Sequence, residues 1–197
     1  MREMTGLSEE DLNPDPMRQF RNRHAEAGNP AEVAVVTASA DGVPSARMVL
    51  LKAADERGFT FFTNYGSAKA SDLTANPRAG LLFFWPPDRQ VRVAGAATLV
   101  DPEESEAYWR SRPRGSQLGA WASHQSEVID RRATLERRLA DATERFPGTV
   151  PRPPFWGGFR IFPETLELWH HRDDRLHDRL RYRRREAGGW VIERLSP

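Results

Sequence analysis

The sequence of 197 residues contains no cysteine, which excludes disulfide frameworks, thiolate metal sites and thiol catalysis. It has no apolar run long enough to cross a bilayer, and its first residues lack the apolar segment of a signal peptide. The 29 basic and 28 acidic residues leave a net charge of +1, which argues against nucleic acid as a partner. We therefore expect a soluble cytoplasmic protein that binds neither nucleic acid nor membrane.

Common nucleotide-binding and hydrolase motifs are also missing. There is no G-x-G-x-x-G, Walker loop or G-x-S-x-G, so a Rossmann, P-loop or α/β-hydrolase fold has no support. The five histidines lack metal-ligand spacing with nearby carboxylates, and we predict no metal site. Lysine is scarce: only two of the 29 basic residues, Lys52 and Lys69, are lysines. Either this is chance, or these positions need a compact ammonium instead of a planar guanidinium.

Short β-rich runs separated by turn residues dominate the chain, with a few helical stretches between them. Helices are predicted at 16–26, 67–75, 101–112 and 125–146. Strands are predicted at 33–39, 46–52, 59–63, 79–85, 90–100, 158–162, 166–170, 180–184 and 190–195. This order favours a mainly β (α+β) fold, an antiparallel split or closed β-barrel with flanking helices, over an open α+β sheet. We divide the chain into an N-terminal segment and helix over residues 1–30 and a barrel domain over residues 31–197.

Two sets of residues have the chemistry of anion sites. Ser67 and Lys69 stand at a predicted helix N-terminus, where free N–H groups and the helix dipole favour a phosphate. The alternative is an ordinary serine cap beside an exposed lysine. Tyr108 and Arg112 lie one helical turn apart, with Ser116 four residues further on, and such groups suit a phosphate. The alternative there is a core tyrosine and a solvated arginine.

The segment 169–182, WHHRDDRLHDRLRY, contains Arg175, His177 and Arg179 in alternation. A strand would place all three on one face, because its side-chain period is two. Two permanent cations and one group that titrates near neutrality then favour an anionic ligand. The alternative is a solvated hairpin in which nearby aspartates pair with the arginines. Trp169 is a candidate to cover a planar ring, or is a core residue.

Seven segments, in order along the chain, resemble the pyridoxine/pyridoxamine 5′-phosphate oxidase family. They are RMVLLK (47–52), FFTNYGSAK (61–69), NPRAGLLFFW (76–85), RQVRVAG (89–95), SRPRGSQLGAWAS-x-QS (111–126), FWGGFR (155–160) and W-x5-RLHDR-x2-Y (169–182). The family consists of FMN enzymes of the split-barrel type. The resemblance therefore implies the FMN-binding split-barrel fold and a homodimer with FMN at its interface.

The resemblance also implies roles for individual residues. The cofactor-binding residues would be Arg47, Met48, Val49, Leu50, Leu51, Lys52, Phe62, Thr63, Lys69, Gln90, Gln125, Ser126, Trp169 and Arg179. Of these, Gln125 and Ser126 would come from the other subunit. The substrate phosphate would be held by Lys52, Tyr108, Arg112 and Ser116. Arg175 and His177 would be catalytic and would lie against the pyridine ring. One departure is Ala68, where the family commonly has arginine.

The implied activity is FMN-dependent oxidation of pyridoxamine 5′-phosphate or pyridoxine 5′-phosphate to pyridoxal 5′-phosphate. Dioxygen would be the acceptor, giving hydrogen peroxide, and ammonia would leave from the amine. This places the chain in vitamin B6 biosynthesis or salvage. The alternatives are another split-barrel flavoenzyme, such as a phenazine-pathway oxidase or a deazaflavin-dependent reductase, and a non-catalytic flavin-binding or B6-binding protein.

Overall fold

A computed structural model of the protein describes residues 6–197. These residues form five α-helices and nine β-strands. The helices are α1 Pro16–Glu26, α2 Ala68–Ala75, α3 Pro102–Ser111, α4 Arg114–Ala122 and α5 Arg132–Arg145. The strands are β1 Glu32–Ala38, β2 Pro44–Leu50, β3 Ala53–Asp55, β4 Gly58–Asn64, β5 Arg78–Trp85, β6 Arg89–Leu99, β7 Trp156–His170, β8 Asp178–Arg184 and β9 Trp190–Arg194. None of the helices in this range is long and apolar enough to cross a membrane.

The nine strands form one antiparallel sheet in the order β2-β1-β5-β6-β7-β4-β3, and β8 and β9 continue from β7. The long strand β7 is the point where the sheet divides. On one side it pairs with β6, whereas on the other its first part pairs with β4 and its last part with β8. This division produces an antiparallel split barrel flanked by helices, and the predicted fold class is confirmed.

Local sequence signals explain how α1 reaches the core. The Asp15 carboxylate accepts a hydrogen bond of 2.9 Å from the Met17 amide, and Pro16 begins the helix, as predicted. The helix places Phe20 against Phe59 and Phe83, with ring centroids 4.8 and 4.9 Å apart. All three rings are fully buried, and burying one such side chain stabilises the fold by about 1.5–3 kcal/mol.

The predicted helix over 125–146 is wrong at its start. The structure has α4 over 114–122, a loop, and then α5 over 132–145. Ser126 has a φ of +75° in that loop, which is incompatible with a right-handed helix, and the Val128 side chain is 96% exposed where an apolar face was expected. Helix α4 was missed because Gly115 and Gly119 weaken its helical signal.

Strand β7 was predicted as two strands, because Pro163 cannot donate a ladder hydrogen bond. The structure keeps one strand and shifts its register against β6 between Ala94 and Gly95. Gly95 pairs with Pro163, and a Cβ at Gly95 would lie 1.9 Å from the Phe162 carbonyl oxygen. The irregularity therefore needs glycine at this position. The short strand β3 was not predicted.

Candidate active site

A cavity of about 910 Å³ lies between β2, β4 and helices α2, α3 and α4. It brings together twelve of the predicted site residues. They are Arg47, Met48, Val49, Leu50, Lys52, Phe62, Thr63, Lys69, Tyr108, Arg112, Ser116 and Gln125. No carboxylate is among the described residues that line it. The cavity is therefore a cationic and aromatic site.

The first group of cations in the cavity is centred on Lys69. This lysine is only 6% exposed, and its ammonium donates to the hydroxyls of Thr63 (3.2 Å) and Ser67 (3.3 Å). Burial and then repulsion from Arg47 lower the pKa of the Lys69 ammonium. Ser67 makes no side-chain cap, so the interpretation as an ordinary serine cap with an exposed lysine is wrong.

Arg47 completes this first group from strand β2. Its guanidinium donates to the Thr37 hydroxyl at 2.6 Å and to the Ser45 hydroxyl at 2.7 Å. It also lies 3.7 Å from an Asp72 carboxylate oxygen, which partly neutralises it. The surplus positive charge therefore resides mainly on Lys69. An anion bound here would accept hydrogen bonds from a desolvated ammonium.

The second group of cations is centred on Arg112, which follows the last residue of α3. Its guanidinium lies over the rings of Trp156 (4.6 Å) and Trp109 (5.2 Å) and donates to the Ser116 carbonyl at 3.0 Å. The other terminal nitrogen of the guanidinium, Nη1, is buried with no hydrogen-bond partner. Burial lowers the pKa of this guanidinium. An unpaired buried donor of this kind is costly unless a ligand satisfies it.

The position of Arg112 corrects one prediction. It was expected on the same helical face as Tyr108, but its backbone is extended and α3 ends at Ser111. Tyr108 stacks on Phe62 with centroids 4.2 Å apart, and the Lys52 ammonium lies 5.6 Å from the Tyr108 ring centroid. Tyr108 is therefore part of the cavity wall, and the solvated-arginine interpretation of Arg112 is also wrong.

The loop after α4 supplies Gln125 and Ser126. The Thr63 hydroxyl donates to the Gln125 side-chain oxygen at 3.0 Å, and the Ala68 amide donates to the Ser126 hydroxyl at 3.1 Å. Both contacts occur within one chain, and the expectation that a second subunit supplies these two residues to the cofactor stays a prediction. Leu51 does not line the cavity; it is 9% exposed and belongs to the core.

The remaining predicted residues form a second surface away from the cavity. Gln90, Trp169 and Arg179 are cross-strand neighbours on β6, β7 and β8. The Arg179 guanidinium donates to Glu167 at 2.8 Å, so its charge is paired locally. The His177 ring packs on Trp169, with centroids 4.7 Å apart. These groups make a flat aromatic and polar surface at the end of the sheet.

The expected alternation of Arg175, His177 and Arg179 on one strand face is wrong. Strand β8 begins only at Asp178, and Asp174 and Arg175 have φ angles of 56° and 61°. These left-handed conformations turn the chain before the strand begins. Arg175 is exposed and does not line the cavity. The loop 171–177 nevertheless keeps His177 beside Trp169.

Comparisons with known proteins match both parts of this chain. Residues 23–146 match the family model described as pyridoxamine 5′-phosphate oxidase, and residues 156–197 match the one described as pyridoxine 5′-phosphate oxidase C-terminal dimerisation region. A pyridoxine/pyridoxamine 5′-phosphate oxidase of Rubrobacter xylanophilus is 55% identical, covering 98% of this chain and 91% of that protein. One of Ralstonia nicotianae is 56% identical, covering 95% and 91%.

The chain belongs to the pyridoxamine 5′-phosphate oxidase family. It is an oxidoreductase of that family. The crystal structure of PhzG from Burkholderia lata in complex with tetrahydrophenazine-1-carboxylic acid is also similar, with a TM-score of 0.89, 30% identity and 95% of each chain covered. A pyridoxamine 5′-phosphate oxidase-related, FMN-binding protein from Nostoc punctiforme has the same fold, with a TM-score of 0.74, 19% identity, and 94% and 100% of the chains covered.

Sequence reasoning within this family missed several cavity residues, of which Trp156 is the most informative. Its ring supports the Arg112 guanidinium and stacks on Phe62 at 5.3 Å. The signal was present in the segment FWGGFR, where two glycines follow the tryptophan. A Cβ at Gly157 would lie 1.9 Å from the Tyr65 hydroxyl, so this strand must pass close to aromatic neighbours.

Proposed function

We propose that this protein uses FMN to oxidise pyridoxamine 5′-phosphate or pyridoxine 5′-phosphate to pyridoxal 5′-phosphate, with dioxygen as the acceptor. The observation that carries the proposal is one cavity with two separate groups of cations. Lys69 has only hydroxyl partners among the described residues, and Arg112 has a buried nitrogen without one. Two phosphorylated ligands, a cofactor and a substrate, would satisfy both groups.

The residues of the first group fit the phosphate of FMN. Lys69 and Arg47 offer charged donors, and the hydroxyls of Thr63 and Ser67 already lie against the ammonium. Met48 and Leu50 supply apolar walls at the same cavity. When bound, FMN would supply the ring that accepts two electrons from the substrate. The chain's own residues would hold it and exclude water around it.

The second group fits the substrate phosphate. Arg112, held by its stacking on Trp156, would donate a hydrogen bond from its unpaired Nη1 to a phosphate oxygen. Lys52 and the hydroxyls of Tyr108 and Ser116 would add donors from three separate elements. Holding the substrate by its phosphate fixes the position of its reacting carbon. This lowers the entropic cost of reaching the reactive orientation.

A second copy of the chain would complete the site. The described single chain leaves Trp169, Arg175 and His177 outside the cavity, and the matched C-terminal region is described as a dimerisation region. An apolar face next to the cavity supports this arrangement, with Met48 62% exposed and Phe84 57% exposed. We therefore place the catalytic pair Arg175 and His177 against the substrate from the partner subunit.

The overall reaction balances as follows. The amine substrate, dioxygen and water would give the aldehyde, ammonia and hydrogen peroxide, whereas the alcohol substrate and dioxygen would give the aldehyde and hydrogen peroxide. Arg175 would bind the pyridine substituents, and His177 would donate a hydrogen bond to the ring. Both substrates present the same phosphate to Arg112, so one clamp serves both.

Oxidation of a phenazine precursor is a second candidate, favoured by the structural similarity to PhzG. That ligand offers the two oxygens of one carboxylate, whereas a phosphate offers three acceptor oxygens to the donors of Arg112, Lys52, Tyr108 and Ser116. The unpaired buried nitrogen of Arg112 therefore favours the phosphorylated substrate. An assay with both compounds separates the two functions directly.

The test is an absorption spectrum of the purified protein, followed by anaerobic addition of pyridoxamine 5′-phosphate and then of oxygen. We expect a flavin spectrum that bleaches with substrate and recovers with oxygen, with one hydrogen peroxide formed for each aldehyde. A flavin that stays oxidised would contradict the proposal and favour a non-catalytic binding protein. Bleaching only by a dihydrophenazine carboxylic acid would favour the second candidate.

A further inference from the structure

Hydrogen bonds join the N-terminal segment 6–12 to the first residue of strand β8, directly after the loop 171–177, and to strand β9. The Leu7 amide donates to Asp178 at 3.1 Å, and the Arg194 guanidinium donates to the Leu7 carbonyl at 2.8 Å. The Glu9 carboxylate binds the same guanidinium with contacts of 2.9 and 2.7 Å. Leu7 is 6% exposed, so this end of the segment is packed as well as hydrogen-bonded.

Asp178 is the residue on which these contacts converge. One carboxylate oxygen accepts from the Leu7 amide and from the Arg172 guanidinium (2.8 Å), and the other accepts from Arg194 (2.9 Å). The side chain is only 13% exposed. Although burial opposes it, these donors together lower the pKa of the Asp178 carboxyl. Asp178 thus joins the N-terminal segment, the start of the loop and the last strand.

The same network reaches His177 through Arg172. The Arg172 side chain is held by Asp178, and its backbone amide donates to Nδ1 of His177 at 3.1 Å. Between the two ends of this connection, Asp174 and Arg175 adopt left-handed backbone conformations. Residues other than glycine hold such conformations only where the surroundings impose them. Contacts hold both sides of this turn: Asp178 binds Arg172 before it, and His177 after it packs on Trp169.

We propose that Asp178, together with the Glu9–Arg194 ion pair, is a positioning device that holds His177 and Arg175 in their working geometry. The inference rests on the proposed function for its kinetic consequences. It adds a coupling between the N-terminal segment and the loop that carries the catalytic pair. Asp178 does not line the cavity, and it reaches the loop through its contact with Arg172 as well as through the backbone that joins it to His177.

The chain offers matched controls for this test. Glu193 forms ion pairs with Arg181 and Arg183 in the same β8–β9 hairpin, with no described contact to the loop. Glu193→Gln therefore removes a comparable carboxylate and leaves the contacts of Asp178 and the Glu9–Arg194 pair intact. The His171 amide is an internal reference at the start of the loop, because it donates at 2.8 Å to the Asp88 carbonyl, between β5 and β6, and not to the Asp178 network.

The variants are Asp178→Ala, Asp178→Asn, Glu9→Gln and the control Glu193→Gln, all prepared as the flavin-loaded protein. We expect Asp178→Ala to speed hydrogen exchange of the Arg172 amide by about tenfold or more, without changing that of the His171 amide. It should lower kcat/KM for pyridoxamine 5′-phosphate by roughly 10–100-fold, with an unchanged Kd for FMN and an unchanged dimer mass. Asp178→Asn should restore part of both effects, because its amide oxygen still accepts one hydrogen bond.

Glu9→Gln keeps the proposal testable if Asp178→Ala fails to fold, because Glu9 lies outside the matched dimerisation region. It should speed hydrogen exchange of the Arg172 amide and lower kcat/KM for pyridoxamine 5′-phosphate by a few-fold, on the order of 2–5. Equal effects from Glu193→Gln would overturn the proposal, and so would unchanged kinetics with a loosened loop. If the wild-type protein does not oxidise the substrate, the proposed function fails, and the exchange rates still decide whether Asp178 anchors the loop.

Discussion

The backbone amide of Arg172 donates a hydrogen bond of 3.1 Å to Nδ1 of His177. An amide N–H can only donate, so Nδ1 must be the accepting nitrogen. The neutral imidazole therefore carries its proton on Nε2 and presents a donor to its surroundings. The hydrogen bond fixes the tautomer of this ring, and packing on Trp169 restricts its orientation. The geometry assigns His177 the role of a hydrogen-bond donor rather than a base.

This assignment predicts different effects for two amide substitutions of His177. A glutamine amide can place an N–H near the position of Nε2, whereas an asparagine amide lies near Nδ1. We expect His177→Gln to keep kcat/KM within about tenfold of wild type, and His177→Asn to lose roughly 100-fold. Steady-state assays with pyridoxamine 5′-phosphate decide this. Greater activity in the asparagine variant would contradict the donor role.

The unpaired nitrogen of Arg112 predicts a selective loss of substrate affinity. Arg112→Met should raise KM for the phosphorylated substrate by about 10–100-fold while leaving the Kd for FMN unchanged, because only the second cation group is altered. Arg110→Met is the matched control, since Arg110 is exposed two positions earlier, near the end of α3, and pairs with Glu106. A comparable loss of FMN in Arg112→Met would show that the two groups do not serve separate ligands.

The burial of Lys69 predicts that removing its charge raises the stability of the cofactor-free protein and weakens cofactor binding. Lys69→Met removes a buried ammonium that has no described carboxylate partner, so the cofactor-free protein should melt roughly 2–4 °C higher. The same change should raise the Kd for FMN by about 10–100-fold. Differential scanning calorimetry and flavin fluorescence titration measure the two effects. Arg78→Met, which removes an exposed arginine paired with Glu164, should change neither by a comparable amount.

The lowered pKa of Lys69 also predicts a pH dependence. In the folded, cofactor-free protein this group loses its proton below the pKa it has in the unfolded chain, about 10.4. The unfolded state then binds more protons, so the free energy of unfolding should rise with pH between the lowered pKa and about 10.4. Chemical denaturation across this alkaline range should show the rise in the wild type. Lys69→Met should lack that contribution.

Much of the fold could be predicted because its signals are local. Helix α1 follows from Asp15 and Pro16, and the hairpins follow from turn residues and short β-rich runs. The loop 171–177 could not be predicted in this way. It has left-handed residues at Asp174 and Arg175, and the neighbouring Asp178 contacts Leu7 and Arg194, which are distant in the sequence. Alternation along the chain carried no information about them.

The candidate site shows the same division. Eleven of the twelve predicted residues that meet in the cavity lie in segments with recognisable motifs, and Tyr108 is the exception. The support of Arg112 by Trp156 joins segments 44 positions apart, and the glycines after Trp156 indicate a close approach without identifying Arg112 as its partner. The position of His177 outside the cavity of its own chain could not be predicted either, because a sequence motif does not indicate which chain of an assembly it contacts. These are the parts that required three-dimensional structure.

Ala68 predicts a gain of function. The family commonly has arginine here, and the exposed Ala68 begins α2, one position before Lys69. Ala68→Arg should lower the Kd for FMN by about 3–10-fold through an added charge-assisted contact with its phosphate. Ala75→Arg adds the same charge at the other end of α2 and serves as the control. Equal tightening by both variants would indicate a general charge effect instead of a specific contact.

The proposed two-chain site makes a prediction that a one-chain site cannot reproduce. Arg112→Met damages the cavity, and Arg175→Leu damages the loop that a partner would supply. Each homodimer would then contain two damaged sites. In a heterodimer of the two variants, one site would combine both defects, whereas the other would combine an intact cavity with an intact loop.

Co-expression with two different tags and sequential purification would isolate that heterodimer. We expect it to recover about half of the wild-type turnover per dimer, although each parent homodimer has almost none. The recovered activity should have the wild-type KM, because its single working site is unaltered. If cavity and loop instead acted within one chain, every site in the heterodimer would carry one defect, and its activity would stay at the level of the parents. That result would remove the partner subunit from the mechanism and require the loop 171–177 to reach the cavity of its own chain.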